Sequence, residues 1–218
     1  MKVELQICEN WNYYTNWLKQ KLPQYHKWLR DGASSDDITE LEKYLAIKLP
    51  AQFKILYGIN DGETEENNGL GAFLGFKFLS INKIIEVQKK WMAYDQDDYG
   101  SSYPEKTIKV QYINPKWIPL FEDSGGNYIG IDMDPDSKGS DGQIINFGRD
   151  ESHKFLIAKD LDEFLSYVRN QINNGTCDKA IVQEDDGGYS YGLTPQSHLI
   201  DDLREVFGKK RVHLKLDL

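Results

Sequence analysis

The stretch Trp117–Asp150, WIPLFEDSGGNYIGIDMDPDSKGSDGQIINFGRD, decides the fold of this chain. Its apolar runs IPLF, YIGIDM and QIINF are separated by EDSGGN and DPDSKGSDG. Those separators are dense in Gly, Asp, Asn and Ser, which supply positive φ angles and side-chain-to-backbone turn bonds. The pattern predicts a three-stranded antiparallel meander. Tyr128, Gly130 and Asp132 alternate with Ile129, Ile131 and Met133. One face therefore enters a core, and the other is either wet or covered by helices.

On the C-terminal side, HKFLIA is a fourth strand candidate. Asp160 then caps a helix in which Leu161, Phe164, Leu165, Val168 and Ile172 keep helical spacing, until Asn173, Asn174 and Gly175 end it. EDDGGYSYG, residues 184–192, reads as a turn, and Thr194-Pro195 opens a last helix with Leu199, Leu203, Val206 and Phe207 inward. The tail KKRVHLKLDL alternates Val212, Leu214, Leu216 and Leu218 with polar residues, the spacing of a strand on a sheet edge.

On the N-terminal side, AFLGFKFLS (72–80) is an aromatic strand, and Ser80 caps a helix whose Ile81, Ile84, Ile85, Gln88, Trp91 and Met92 share a face. Residues 95–106 are polar and broken by Gly and Pro, and are expected to form a mobile excursion. Further upstream, Ser34 or Ser35 starts a helix with Asp36 and Asp37 in its dipole-favoured first turn. Pro50 opens a second with Phe53 and Leu56 inward and Gly58 as its cap, and residues 60–69 read as a solvated acidic loop. Trp11, Tyr14, Leu18 and Leu22 mark an earlier helix ended by Pro23. The division this suggests is a helical arm, residues 1–33, laid on a main domain, residues 34–218.

With 218 residues, 39% of them hydrophobic, the chain can build one substantial core. A net charge of -9 argues against nucleic acid, whose affinity for proteins comes chiefly from Lys and Arg displacing counterions, and it suits a basic protein partner. Cys8 and Cys177 are too few and too far apart for a disulfide framework or a thiolate metal site. MKVELQICENW lacks the apolar centre of a secretory leader, and no apolar run approaches the roughly 20 residues of a membrane span. A cytoplasmic location without membrane insertion is the expectation.

No catalytic constellation emerges. Asp132, Asp134 and Asp136 occupy the first, third and fifth places of a calcium loop, but Ser137 stands where Gly is needed and Gln143 where a bidentate Glu is needed. GLGAFLG, residues 69–75, has its third Gly one place late for a dinucleotide loop and is followed by a strand pattern rather than a helix. His26, His153, His198 and His213 are scattered over different elements and read as surface or packing residues. No metal, cofactor or catalytic residue is assigned.

The order of LEKYLAIKLPAQFKILYGINDG, FLGFKFLS, WIPLFEDSGGNYIGIDMDP, GQIINFGRDE and EFLSYV resembles the SUKH superfamily and, more narrowly, the Smi/Knr family. The resemblance covers residues 34–172, with fainter similarity at EDDGGYSYGL and LREVF. It implies an α+β fold, mainly an antiparallel sheet with helices against it, and no known chemistry. It also implies that Trp117 anchors the core. Bacterial relatives of this kind are similar to immunity proteins, and fungal ones regulate cell-wall glucan synthesis.

The first expectation is therefore a non-enzymatic immunity protein that neutralises a cognate toxin by direct binding. Its candidate partner-binding residues are Glu63, Glu65, Glu66, Asp123, Asp134 and Asp136, acids on predicted loops that can steer a basic surface. The alternative is a regulatory or scaffold protein of cell-wall synthesis. A carboxylate-dependent hydrolase ranks third, because nothing singles out an acid pair. The N-terminal arm is either packed on its own chain or an oligomer contact.

Overall fold

The structure, a computed structural model, describes residues 2–65, 70–94, 99–185 and 187–209. Helix α1 (Lys2–Lys21) runs to the break at Leu22-Pro23, and α2 (Pro23–His26) follows with Pro in its first turn. Helix α3 (Ser35–Leu45) is held at its start by a reciprocal cap: Ser34 Oγ accepts the Asp37 N–H at 3.2 Å, and the Asp37 carboxylate accepts the Ser34 N–H at 2.9 Å. Pro50 precedes α4 (Ala51–Ile59). Strand β1 (Lys77–Phe78) leads to α5 (Ile81–Trp91), whose Lys83 N–H bonds Ser80 Oγ, and then to β2 (Ser101–Tyr103).

The meander follows as β3 (Trp117–Glu122), β4 (Asn127–Asp132) and β5 (Gln143–Gly148), and β6 (His153–Ala158) extends it. Asp160 caps α6 (Leu161–Asn173) by accepting the Glu163 N–H at 2.9 Å. The chain continues through α7 (Thr176–Lys179), the small hairpin β7 (Val182–Gln183) and β8 (Tyr189–Ser190), and α8 (Leu199–Phe207).

Six strands form the main sheet in the order β1-β3-β4-β5-β6-β2, antiparallel throughout except where β2 lies parallel to β6. Pro119 in β3 faces Gly130 in β4, and the register shifts immediately after it, before Phe121. A proline has no ladder N–H to give, so a strand accepts it at such an irregularity. The shift also turns Phe121 to the opposite face from Trp117. Every residue of β4 is buried, so both faces of the meander are covered.

On one face, Trp91 of α5 packs edge-on against Tyr128 and Phe147, at ring distances of 5.2 and 5.5 Å. The buried Gln88 of the same helix donates to the Trp117 carbonyl at 2.5 Å. The other face carries a stack in which Phe73 lies 3.7 Å from Phe121 and 5.8 Å from Phe164 of α6, with Trp11 of α1 6.2 Å from Phe73. Each fully buried aromatic removes a large apolar area from water, about 2–3 kcal/mol apiece before chain entropy is subtracted. Ile7, Trp11, Tyr14 and Leu18 of α1, with Leu22 just after it, belong to this same core, so the first helix is a layer of the protein, packed on its own chain.

The segment after α2 closes the β1 edge. Residues 28–31 bond residues 61–64 through Thr64 N–H to Trp28 O at 2.8 Å, Arg30 N–H to Gly62 O at 3.0 Å and Asp61 N–H to Asp31 O at 3.0 Å; Glu63 N–H in turn bonds Phe78 O at 2.9 Å. This corrects the expectation of a solvated loop for residues 60–64; residues 66–69 of that stretch lie outside the described residues. Asp61 and Glu63 are buried, because their backbone is needed to finish the sheet and their carboxylates satisfy amides nearby.

Other local readings also change. The 72–80 strand contracts to Lys77–Phe78, because Leu74 (φ +49°) and Gly75 (φ +87°) bend the chain before it. The 95–106 excursion contains an edge strand, β2, and its residues 95–98 lie outside the described residues. Helix α4 runs through Gly58 to Ile59, and the last helix starts at Leu199, after Gln196 at φ +53° has left helical geometry. The 184–192 turn belongs to a hairpin. Met92 and Val206, expected inward, are 61% and 42% exposed. The tail from 210 lies outside the described residues, as does His213.

Candidate functional site

The C-terminal hairpin and the start of α8 fold back over the loop before β1 and the turn between β3 and β4. Where they meet, a cleft of about 420 Å³ opens. Leu70, Leu74, Phe76 and Leu199 give it an apolar floor, and Asp123, Glu184, Ser190, Gln196, Ser197 and His198 its polar edge. An apolar cavity with a few convergent polar groups is the general form of a recognition site. Two of the lining residues, Leu74 and Gln196, hold positive φ without being glycine, and Ser124 beside Asp123 does the same at +65°. Such local strain concentrates at functional sites.

Asp123 is placed by the turn that its own side chain organises. Its Oδ1 accepts the Gly125 N–H at 2.6 Å and the Asn127 N–H at 2.9 Å, and its Oδ2 accepts from Asn127 Nδ2 at 2.8 Å. The fourth contact is distant in sequence: His198 Nε2 lies 3.2 Å from Oδ2. Burial pushes the Asp123 carboxyl up, but the bonds from His198, Asn127 and Gly125 outweigh it and bring it down to about 2. The same bond raises His198, against the smaller opposing effect of burial. The imidazole also leans on the Phe76 ring, 5.0 Å away.

The rest of the edge is less completely bonded. Ser190 Oγ is buried and has no hydrogen-bond partner. The Glu184 carboxylate receives only long contacts, 3.4 Å to each oxygen, from Gln196 Nε2. A buried hydroxyl such as that of Ser190 is rare in a folded interior and costs about 1–3 kcal/mol when a partner is lacking, whereas the partly exposed Glu184 carboxylate is open to solvent.

The acids expected to meet a partner are not gathered in one patch. Glu63 is buried, and its Oε2 accepts the Ala72 N–H at 2.5 Å and the Phe78 N–H at 3.1 Å, which withdraws its charge from the surface. Glu65 is exposed and 3.6 Å from Lys83 Nζ. Glu66 lies outside the described residues. Asp134 bonds Lys109 Nζ at 2.6 Å and Asn114 Nδ2 at 2.9 Å, and Asp136 accepts the Ser137 N–H at 2.6 Å. Both sit beyond the Trp117 end of β3, whereas Asp123 follows its Glu122 end, roughly 20 Å away along the strand. Of the five described, only Asp123 reaches the cleft.

Among the described acidic and basic side chains, Asp132 and Lys154 are the two with no exposed surface, and both stand elsewhere. Asp132 is fully buried; burial lifts its carboxyl to about 6, against bonds from the Asp134 N–H at 2.9 Å and Gln143 Nε2 at 2.8 Å. The indole N–H of Trp117, buried without a well-formed partner, adds a weak pull in the same direction as those bonds. Lys154, also fully buried, lies 5.4 Å from the Tyr99 ring and 5.6 Å from the Trp117 ring, and burial lowers its ammonium to about 8. It donates to the Glu151 carbonyl at 3.2 Å, while the Glu151 carboxylate pairs with Arg204 Nη2 at 2.8 Å on both oxygens. Among the described residues no group of three or more His, Cys, Asp or Glu is placed to hold a metal ion.

His198, Ser190 and Glu184 carried no signal as sequence. The turn chemistry of Asp123 was visible in DSGGN, but its histidine partner is 75 residues away. Only the fainter similarity at EDDGGYSYGL pointed to that region.

A mixed sheet held between helix layers, with a lateral cleft, defines a protein of the α+β class. The chain belongs to the SMI1/KNR4 family (SUKH-1), whose sequence pattern matches residues 32–167. It is similar to the "Cell wall biosynthesis/cell cycle regulator smi1" of Schizosaccharomyces pombe, 30% identical over 195 residues, covering 83% of this chain and 38% of that protein. It is similar to the "Cell wall assembly regulator SMI1" of Saccharomyces cerevisiae, 27% identical over 202 residues, covering 76% of this chain and 40% of that protein. It is also similar to the "Glucan synthesis regulatory protein" of Neurospora crassa, 24% identical over 206 residues, covering 78% and 39%. The chain thus spans about two fifths of the length of these curated relatives. Their names back the cell-wall regulator alternative, and the toxin-immunity expectation gives way to it.

Proposed function

We propose that this chain is a non-enzymatic, protein-binding module of a regulator of cell-wall assembly, acting in the cytoplasm. The observation that carries the proposal is the similarity to the Schizosaccharomyces pombe regulator, which runs over 83% of the chain and so reaches beyond the segment matched by the family pattern. The physical properties fit. Asp132 and Lys154 are enclosed in the core, and the cleft beside Asp123 has an apolar floor suited to holding part of a protein surface. Among the described residues no helix is long and apolar enough to cross a membrane.

The test is a chimera in which this chain replaces the matching region of the Schizosaccharomyces pombe relative. Restored resistance to cell-wall-damaging dye in cells lacking that relative is the expected result. A chimera that is made at normal abundance and restores nothing overturns the proposal.

A further inference from the structure

We propose that the cleft beside Asp123 and His198 receives a lysine or arginine side chain of a partner protein. This rests on the reading of the chain as a protein-binding module and adds the chemistry of what is bound. Charge makes the first selection: Asp123 and Glu184 line the cleft, and among the described residues no lysine or arginine does. An anionic ligand would face both carboxylates, with the partly exposed His198 imidazole as the only counter-charge among the described residues.

Bonding makes the second selection. Asp123 already has bonds on both oxygens, so it contributes field rather than a vacant acceptor. Glu184, partly exposed and held only by 3.4 Å contacts from Gln196, is the available acceptor, while the Ser190 hydroxyl behind it has no partner but is closed off from solvent. A purely apolar ligand would not satisfy that carboxylate. A long basic side chain fits both parts of the cleft at once, its methylenes on Leu74, Phe76 and Leu199 and its head group at the Glu184 carboxylate.

The experiment is a titration of the ¹⁵N-labelled full chain with four blocked tripeptides, acetyl-Gly-X-Gly-amide, in which X is Arg, Lys, citrulline or Glu. The expected result is saturable shifts of the Gly75, Ser190, Tyr191 and Leu199 amides with Arg or Lys, the better of the two distinguishing a guanidinium from an ammonium preference. Citrulline, which keeps the shape and loses the charge, should bind about tenfold more weakly, and Glu184→Gln should weaken the charged peptide by a similar factor. Ser190→Ala should give a smaller loss, with the dispersed spectrum of each variant confirming that it folds.

Absence of saturable shifts with both basic peptides overturns the assignment. So does equal binding of citrulline or Glu, or binding indifferent to Glu184→Gln. If the peptides fail while the chimera still restores resistance, only the assignment of the cleft falls.

Discussion

His198 Nε2 lies 3.2 Å from Asp123 Oδ2, joining the residue before α8 to the turn between β3 and β4. The contact closes one side of the cleft, and it ties the C-terminal segment to the meander through groups that titrate in opposite directions.

That pair gives a pH signature. His198 is raised above its ordinary 6.5, so its stabilisation is complete below that pH and is lost as pH rises through the higher folded value. Asp123 is depressed to about 2, so its contribution is present above its ordinary 3.8 and is lost as pH falls towards 2. The pair therefore stabilises most between pH 3.8 and 6.5. The imidazole is 39% exposed, and solvent screening limits the effect to about 0.5–1 kcal/mol. Urea denaturation should show His198→Ala destabilised by that amount at pH 5.5 and by clearly less at pH 8.5. A deficit independent of pH would mean that the ring contributes only by packing on Phe76.

Asp132 has the opposite tendency for a carboxylate. Burial raises it from 3.8 to about 6, so the folded state holds a proton that the unfolded state releases. Stability from this group is complete below 3.8 and falls as pH rises through 6. Asp132→Asn removes the titration. The gap in unfolding free energy between variant and wild type should shift in favour of the variant by about 2–3 kcal/mol from pH 4 to pH 7.5. Parallel pH profiles for the two proteins would show that the carboxyl titrates normally.

Gly130 faces Pro119 across β3 and β4, and a Cβ there would run into the Ile118 carbonyl oxygen and the Pro119 Cα. These are backbone atoms in the middle of the sheet and cannot rotate away. Gly130→Ala should therefore cost about 2–4 kcal/mol and lower Tm by roughly 5–10 °C. Gly58→Ala, on α4 with nothing within 4 Å of the added carbon, should be neutral or stabilising by up to about 1 kcal/mol. Calorimetry of the two variants checks the contrast, and equal melting temperatures would refute it.

The elements readable in the residue order were those built by short-range rules. Ser34, Ser80 and Asp160 as caps, the 117–150 meander and the stripe of α6 all depend on groups within a few positions of one another. Readings failed where a distant partner overrode local character. Glu63 looks like a solvated acid until the N-terminal segment pins its backbone to the sheet edge and its carboxylate meets Ala72 and Phe78. Thr194-Pro195 looks like a helix start, but Asp202 takes the Thr194 N–H at 3.1 Å and the Ser197 hydroxyl at 2.9 Å, and Gln196 turns the chain away.

Turn residues, caps and apolar periodicity act over one to four positions, which is why the order of residues was enough to specify an α+β chain centred on one meander. The cleft has another origin. Asp123, Glu184, Ser190 and His198 meet because the chain returns over the β3–β4 turn after α6. Only the packed path of the backbone makes them neighbours, since contacts across 60 to 75 positions have no local periodicity to announce them.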